Sequence, residues 1–337
     1  MEKEAILITG ICGEIGSNFA NWLLENTNYL VIGVDNLSDG YLDNIDLNRV
    51  KFYLRNAQDD LSDIFERHDI KYCYAMAAFC SEGLSPFVRK FSYENNIIIT
   101  ANLINHCIKY KCKLIYLSSM SIYGDGVVPF KETQTPQPFD PYGVAKYAGE
   151  MDVQIAGEQH GLKWAIIRPH NVIGKNCNIW SKYRNVLGRW MNQLIHDQPL
   201  TIYGDGEQTR AFSWALDYCP VFLKVAENEY ESPIFNVGGD DHKTLNEVAD
   251  LLFKVTGKEK NVVYLQPRHE VKQAFCDHTK VKQIVGFEPK TNLEQMLTEM
   301  WNWAKQQPSR EIKELEKFEI EEGIYDFWKV QKKNLPL

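Results

Sequence analysis

Short apolar segments alternate with helical patterns through the first half of the chain. Six strands are predicted from these segments, at 5–9, 30–34, 50–54, 72–77, 113–118 and 164–169. They lack a strict two-residue alternation, which is typical of parallel strands buried on both faces of a sheet. Between the first two strands, Ile15, Phe19 and Trp22 recur at the spacing of one helical face and predict an amphipathic helix.

This alternation predicts an α/β fold. A strand, a helix and a second strand form a right-handed βαβ unit, and its repetition indicates a Rossmann-like, doubly wound parallel sheet. We assign residues 1–168 to this dinucleotide-binding domain, extended by later segments. The pattern is less regular in residues 169–310, which we expect to form mainly a smaller, interleaved substrate-binding part. Residues 311–337 form a highly charged tail without assigned chemistry.

Composition and charge narrow the kinds of partner. The chain has 337 residues, is 44% hydrophobic and carries a formal net charge of −8. This acidic balance disfavours nucleic acid, which needs a basic face. No apolar stretch approaches about 18 residues and no leader is evident, so neither a membrane span nor a signal peptide is predicted. The eight scattered cysteines show no metal-site or disulfide spacing, which favours reduced thiols and a cytoplasmic protein.

A glycine-rich joint follows the first predicted strand. Gly10, Gly13 and Gly16 stand where a tight turn, a close backbone approach to a pyrophosphate and close helix–strand packing are needed. Asp35 ends the second strand, where a carboxylate accepts hydrogen bonds from both ribose hydroxyls and repels a 2′-phosphate. These residues together predict a site for NAD and not for NADP.

Hydroxyl groups follow the fifth predicted strand, in the stretch LIYLSSMSIYGD (114–125). The carboxyl end of a parallel strand lies on the ligand side of an α/β sheet, so Ser118 and Ser119 should lie near the dinucleotide. Tyr142 and Lys146 are four residues apart and share one face of a helix. A nearby ammonium favours the phenolate, so these groups together suggest a site that interconverts an alcohol and a carbonyl.

In this order the motifs resemble those of the extended short-chain dehydrogenase/reductases, and most of all the UDP-sugar 4-epimerases. The stretches that carry the resemblance are TGICGEIG with Asp35, LSSMSIYG, YGVAK, RPHNVIG (168–174) and IYGDGEQTRAFSWALD (202–217). The resemblance extends over about residues 5–300 and implies a nucleotide-sugar substrate with a resident NAD. It also implies a homodimer, paired through segments 86–109 and 142–159.

The resemblance assigns roles residue by residue. The catalytic residues would be Ser119, Tyr142 and Lys146. The cofactor would contact Gly10, Gly13, Glu14, Ile15, Gly16, Asp35, Asn36, Asn56, Ala57, Ala77, Ala78, Asn96, Tyr142 and Lys146. The substrate would contact Ser118, Ser119, Asn171, Arg184, Tyr203, Arg210 and Arg268. Without the resemblance, the arginines also fit surface salt bridges, and Asn96 fits helix packing.

The stretch after Ser119 separates the reactions known for this scaffold. Dehydratases, decarboxylases and 3,5-epimerases resemble this chain but carry an acid or a cysteine where Met120 and Ser121 stand here. What remains is redox chemistry at C4: Tyr142 takes the hydroxyl proton, NAD takes the hydride, and the keto sugar turns before reduction. A C4 dehydrogenase or reductase, a GDP-sugar substrate and a non-catalytic NAD-binding scaffold stay open. Ala274 stands where a Tyr excludes N-acetyl groups in some relatives, which suggests room for them.

Overall fold

The predicted βαβ pattern is the frame of the structure. The computed structural model describes residues 3–183, 185–231, 233–310 and 317–329. Strand β1 (Ala5–Thr9) leads into helix α1 (Glu14–Asn26), and the chain returns as the parallel strand β2 (Leu30–Asp35). Every residue of β1 is fully buried, as expected for a central strand that is covered by helices on both faces.

Parallel strands extend this unit into a central sheet. The further strands are β3 (Lys51–Leu54), β4 (Ile70–Ala75), β5 (Lys113–Leu117), β6 (Trp164–Pro169), β7 (Val172–Ile173), β8 (Leu200–Tyr203), β9 (Thr209–Ala211), β10 (Ser213–Trp214), β11 (Ile234–Val237), β12 (His242–Thr244), β13 (Val262–Leu265) and β14 (Gln273–Ala274). Within the described residues the central sheet has seven strands, in the order β11-β6-β5-β4-β1-β2-β3. The doubly wound, Rossmann-like fold class is thereby confirmed.

Helices cover both faces of the sheet and build the second part of the molecule. After α1 they are α2 (Ser62–Arg67), α3 (Arg89–Tyr93), α4 (Ile99–Tyr110), α5 (Pro141–His160), α6 (Val186–Ile195), α7 (Ala215–Glu227), α8 (Leu245–Thr256), α9 (Thr279–Val285), α10 (Leu293–Ala304) and α11 (Asp326–Lys329). A π-helical turn (Glu94–Ile98) joins α3 to α4, and short 3-10 turns lie at Leu42–Asn44, Ser85–Phe87 and Met120–Tyr123.

Two features of the sheet differ from the sequence prediction. The strand predicted at 72–77 is β4 and ends at Ala75, because Met76 and Ala77 already donate their backbone N–H groups to the Thr9 hydroxyl in the following loop. Strand β11 comes from the second half of the chain and pairs in parallel with β6. The sheet therefore continues beyond residue 168 through a later segment.

The core is divided between the two parts of the molecule. Apolar clusters lie on the two faces of the central sheet, around Phe19 and Phe222 on one face and Leu103 on the other. A separate cluster around Trp190, Trp214 and Leu252 holds the second part of the molecule together. No helix in the described ranges is both long and apolar enough to cross a membrane.

The end of the described chain lies across both parts. We call residues 317–329 the C-terminal strap. The Glu319 carboxylate accepts hydrogen bonds of 2.8 Å from the backbone N–H groups of Lys90 and Phe91, at the start of α3. At the other end of the strap, the Tyr325 hydroxyl accepts one of 2.8 Å from the backbone N–H of His269. Part of the predicted tail is thus packed against the fold, while residues 311–316 and 330–337 lie outside the described residues.

Candidate active site

The order of the strands places a cleft between the carboxyl ends of β1 and β4. The chain winds away from β1 in one direction through β2 and β3, and in the other through β4, β5 and β6. Ligands of open α/β sheets bind at this point of reversal. The predicted cofactor and catalytic motifs all follow strands that meet at this edge.

The glycine-rich joint after β1 leaves no room for side chains. Gly10 has a φ of +70°, and a Cβ there would lie 2.8 Å from the Cα of Ala77. A Cβ on Gly16 would lie 2.3 Å from the backbone oxygen of Gly10. Gly13 is the N-cap of α1 and makes no side-chain cap, so the helix begins at this joint and turns the positive end of its dipole towards a ligand there. A pyrophosphate fits this cradle.

Asp35 is fixed at the end of β2 by this loop. Its Oδ2 accepts a hydrogen bond of 2.9 Å from the backbone N–H of Cys12, and its Oδ1 accepts one of 2.7 Å from that of Leu37. A carboxylate oxygen has a second lone pair, so both oxygens keep acceptor capacity for ribose hydroxyls. The residues present therefore fit NAD, as the sequence predicts.

The remaining predicted cofactor residues line the same edge. Asn36 donates to the side chain of Asn56 at 3.0 Å, which joins the ends of β2 and β3. Ala57 is buried, and its carbonyl accepts from the side chain of Asn102. Ala77 and Ala78 follow β4 directly, opposite Gly10.

Asn96 lies in the π-helical turn and holds the loop that follows Ala78. Its side-chain nitrogen donates to the carbonyl of Ser92 at 2.8 Å and to that of Phe79 at 3.2 Å. Its side-chain oxygen is buried without a hydrogen-bond partner among the described residues. Asn96 is 2% exposed, so it supports the loop from beneath.

The serines after β5 lie where the sequence predicts them. Ser119 caps the following 3-10 turn, and its hydroxyl accepts a hydrogen bond of 3.1 Å from the backbone N–H of Ser121. The hydroxyl of Ser118 is buried and has no partner among the described residues. Both serines are less than a tenth exposed.

Helix α5 brings Tyr142 and Lys146 to these serines. Asp140 caps the helix by accepting from the backbone N–H of Gly143 at 2.9 Å, and Pro141 occupies its first turn. Farther along, Glu150 forms a fully buried, two-pronged salt bridge with Arg168 of β6, with contacts of 2.7 and 2.8 Å. The cap and the salt bridge fix the position of the helix against the sheet.

The surroundings of Tyr142 and Lys146 set their protonation. Burial raises the pKa of Tyr142 well above its ordinary value, and nearby Cys80 and Glu82 add to the rise. Burial also lowers the pKa of Lys146, whose ammonium donates to the Leu117 carbonyl at 2.7 Å. The ammonium lies 5.9 Å from the centre of the Tyr142 ring. Tyr142 is therefore a neutral phenol in the ligand-free protein, and its ionisation needs a further positive charge.

Cys80 contacts Tyr142, and the sequence analysis does not predict this contact. Its Sγ accepts a hydrogen bond of 3.6 Å from the Tyr142 hydroxyl, and the thiol is exposed. The signal available in the sequence was its position three residues after Ala77, in the loop that follows β4.

Basic side chains gather at the opposite end of the cleft. The Arg268 and Arg189 guanidinium groups lie over the ring of Tyr203, at 4.2 and 4.5 Å from its centre. Arg210 lies nearby on β9, and both Arg210 and Arg268 contact the Glu270 carboxylate, at 3.3 and 3.1 Å. Arg189 is a further residue of the site that the assigned roles omit.

This basic cluster has unused donors. The Nε atoms of Arg189 and Arg268 are buried and have no hydrogen-bond partner among the described residues. Burial lowers the pKa of both Arg189 and Arg210, which means that their charge is held at a cost. A bound anion such as a diphosphate would engage these donors and stabilise the charges.

A cavity lies between the 3-10 turn at Met120–Tyr123 and the basic cluster. It is lined by Glu82, Gly83, Met120, Ser121, Gly124, Phe130, Phe139, Asp140, Asn171, Arg210, Arg268, His269, Glu270, Val271 and Ala274. Asn171 has a φ of +40° and donates to the carbonyl of Ala211 at 3.0 Å. The predicted substrate residues Asn171, Arg210 and Arg268 thus share one cavity, whereas Arg184 lies outside the described residues.

Comparisons with known proteins agree with this geometry. The model of the family described as "NAD dependent epimerase/dehydratase family" matches residues 6–238. The UDP-glucose 4-epimerase of Halalkalibacterium halodurans is 30% identical over 90% of this chain and 96% of its own. The solved UDP-glucose 4-epimerase of Thermotoga maritima, with UDP-glucose, is 33% identical with a TM-score of 0.83, over 89% of this chain and 98% of its own.

A third relative has a different sugar bound. The UDP-glucuronic acid 4-epimerase of Bacillus cereus, solved with UDP-glucuronic acid and NAD, is 28% identical with a TM-score of 0.83. The match covers 90% of this chain and 99% of that one. The family match extends over well more than half of the sequence, and both the fold and the cofactor motifs agree with it. The chain belongs to the NAD-dependent epimerase/dehydratase family.

Proposed function

We propose that this protein is a UDP-sugar 4-epimerase that uses a resident NAD. The observation that carries the proposal is a single cavity with two chemically different ends. Met120, Ser121 and Asp140, the chain neighbours of Ser119 and Tyr142, line one end, and Arg210 and Arg268 line the other. A nucleotide diphosphate held by the arginines would place its sugar beside the phenol.

The cofactor would be held by the glycine cradle and by Asp35, with Lys146 near its nicotinamide end. Bound NAD supplies the hydride acceptor and, in its oxidised form, a positive charge in the buried site. Because burial alone keeps Tyr142 neutral, that charge would add to the Lys146 ammonium in favouring the phenolate. Catalysis would then depend on the cofactor being bound before the proton transfer.

Tyr142 would act as the general base on the C4 hydroxyl, and Ser119 would hydrogen-bond the same oxygen. The Ser119 hydroxyl already accepts from the Ser121 backbone, so its own proton is available to donate to the oxygen of the substrate. After oxidation, Tyr142 would return the proton to the alkoxide as the ketone is reduced on its other face. The diphosphate stays held by Arg210 and Arg268 while the sugar turns.

The cavity leaves room for a substituent on the sugar. Ala274 is 1% exposed and lines the cavity. A small side chain there supports UDP-N-acetylhexosamines as substrates in addition to UDP-hexoses. The motifs before residue 150 say nothing of the base, so UDP is inferred from the relatives that carry it.

We further propose that the protein is a homodimer in the cytoplasm. The exposed apolar side chains of Val144, Met151 and Ile155 form a stripe on α5, with Ile98 exposed at the start of the neighbouring helix. Such a stripe supports a homodimer in which these helices pair. All eight cysteines are free, which supports a reducing compartment such as the cytoplasm.

Incubation of the purified protein with UDP-glucose and with UDP-GlcNAc, without added cofactor, tests the proposal. We expect NMR to show the C4-inverted sugar formed over many turnovers. In Tyr142→Phe the rate should fall by about a thousandfold, since general-base catalysis is lost. Absorbance that reports one NADH per chain together with a keto sugar, and no epimer, would instead identify a C4 dehydrogenase. Light scattering of the same sample measures the molar mass and so tests whether the protein is a dimer.

A further inference from the structure

Glu82 is a carboxylate in the wall of the substrate cavity that the mechanism does not use. It lies in the loop between β4 and the 3-10 turn at Ser85–Phe87, and its side chain is accessible from the cavity. A Cβ on the adjacent Gly83 would lie 3.4 Å from Nη1 of Arg268, so this loop borders the basic cluster. Glu82 also raises the pKa of Tyr142, which places it close to the catalytic end as well.

The Glu82 carboxylate has no partner of its own. Within the described part of the chain it makes no hydrogen bond or ion pair, whereas Arg210 and Arg268 both contact Glu270. The Glu82 side chain is exposed to the cavity, yet loss of hydration against the cavity wall raises its pKa to about 7, and Asp140 and Glu270 raise it further against the opposing effect of the two arginines. A carboxylate in this position is available to whatever occupies the cavity.

Once a diphosphate is bound, the remaining charges of the cavity should disfavour a second anion. Three carboxylates line it, those of Glu82, Asp140 and Glu270, against the two guanidinium groups of Arg210 and Arg268 and the ring of His269. A diphosphate would take up the guanidinium donors. An additional carboxylate on the sugar would then face Glu82, because the third guanidinium of the cluster, that of Arg189, is not among the described residues that line this cavity.

A neutral sugar meets the opposite situation. The hydroxyl of Ser121 lines the same cavity and is buried without a hydrogen-bond partner among the described residues. A carboxylate accepts hydrogen bonds only, and a serine hydroxyl both donates and accepts. Glu82 and Ser121 together therefore offer partners to the hydroxyl groups of an uncharged hexose.

We propose that Glu82 is a charge filter for the sugar, which admits neutral hexoses and rejects hexuronates. The inference rests on the proposed function, because it takes the ligand to be a UDP-sugar. It separates this chain in substrate class from the similar UDP-glucuronic acid 4-epimerase of Bacillus cereus. Like charges placed together in a desolvated site should weaken binding of the uronate by about tenfold to a hundredfold.

The extent to which Glu82 rejects hexuronates should depend on pH. The raised pKa leaves Glu82 neutral at a pH below about 7 and charged above it, so rejection of uronates should strengthen as the pH rises. UDP-glucose should show no comparable change, because its sugar carries no charge. A purely structural role for Glu82 would produce no such difference between the two ligands.

Calorimetric binding in the Tyr142→Phe background, where turnover is blocked, tests the filter. UDP, UDP-glucose and UDP-glucuronate are titrated at about pH 6 and about pH 8.5, on either side of the Glu82 pKa. We expect UDP-glucose to bind at least about tenfold more tightly than UDP-glucuronate at the higher pH, with a smaller ratio at the lower pH. Glu82→Gln should abolish both the preference and its pH dependence. Glu158→Gln, which removes an exposed carboxylate from α5, is the matched control and should change neither.

The outcomes distinguish the filter from the proposed function. If UDP binds and Glu82→Gln leaves the ratio of the two sugars unchanged, the filter is wrong and the epimerase proposal stands. A parent protein that prefers UDP-glucuronate also overturns the filter. If UDP itself does not bind, both proposals fall together.

Discussion

The two ends of the cleft are built in different ways. The cofactor end consists of backbone: Gly10, Gly13 and Gly16 provide space and N–H groups, and Asp35 is held by backbone donors. The substrate end consists of charged side chains, with Arg210, Arg268 and Glu270 contacting one another across the cavity.

The first end therefore depends mainly on shape, and the second depends mainly on charge. A backbone cradle is fixed by local geometry and tolerates almost no added atom, and most of the groups that it offers are uncharged backbone N–H donors. A cluster of charged side chains tolerates changes of shape but depends on pH, salt and the ligand that neutralises it. Substitutions should therefore act on the cofactor end through space and on the substrate end through charge.

The largest effect is expected from Gly16→Ala. Its Cβ would lie 2.3 Å from the Gly10 oxygen and 2.9 Å from the Ile11 Cα, both backbone atoms that cannot move aside. We expect a loss of about 3 kcal/mol in the free energy of unfolding, together with loss of the bound nicotinamide. Thermal unfolding and the NAD content after purification measure the two effects.

Gly13→Ala is the matched comparison for that prediction. Its Cβ would meet a single backbone oxygen at 3.3 Å, so the melting temperature should change little while the NAD content falls. If Gly16→Ala keeps both its melting temperature and its cofactor, the cradle is not limited by space.

A smaller effect is expected on the stability of the protein at low pH, through a buried histidine at the substrate end. His170 precedes Asn171, and its Nε2 lies 2.9 Å from Nε2 of His278, which in turn contacts Asp240. Burial lowers the pKa of His170 to about 3. The unfolded chain takes up this proton near pH 6.5, so stability is greatest above that pH and is lost as the pH falls towards 3, at about 1 kcal/mol per pH unit.

Urea unfolding at several pH values between about 7.5 and 5 measures this slope. His170→Asn removes the titrating ring and should flatten the dependence. An equal slope in the variant would assign the acid sensitivity to other groups.

The smallest effect is expected from Glu270→Gln. The substitution removes the carboxylate that Arg210 and Arg268 now share, so both guanidinium groups lose an internal partner. We expect UDP to bind about threefold to tenfold more tightly, because it no longer competes with Glu270, and the gain should shrink at high salt. Calorimetry at low and high ionic strength checks this, with the exposed Glu158→Gln on α5 as the control. Weaker binding of UDP would show that Glu270 helps to hold the ligand.

The sequence predicts the sheet and the cofactor end well because both rest on local patterns. The strands at 5–9 and 164–169 and the spacing that predicts α1 all agree with the structure. Strand β11 escaped prediction because its four residues, IFNV, are too short to be distinguished from a buried turn outside a regular βαβ repeat.

The substrate end is harder to predict, since its parts are brought together only by the tertiary fold. Arg189, Tyr203 and Arg268 come from three separate segments and meet through ring contacts that no spacing encodes. Glu82 lies in a loop where a single acidic residue gives no signal at all. The spacing of Tyr142 and Lys146 also does not show how deeply the phenol is buried, and burial is the main cause of its raised pKa.

The C-terminal strap has a consequence for the order in which the protein matures. Ribosomes release the chain from its N-terminus, so the glycine cradle emerges before β11 completes the sheet, and the strap emerges after both. Tyr325 and Phe327 then contact the backbone of His269 and the ring of Tyr203. A chain that stops short of the strap retains every residue of the cofactor cradle but lacks these two contacts. We therefore expect the positions of Tyr203 and His269 to be fixed only after the cofactor cradle and the sheet have formed.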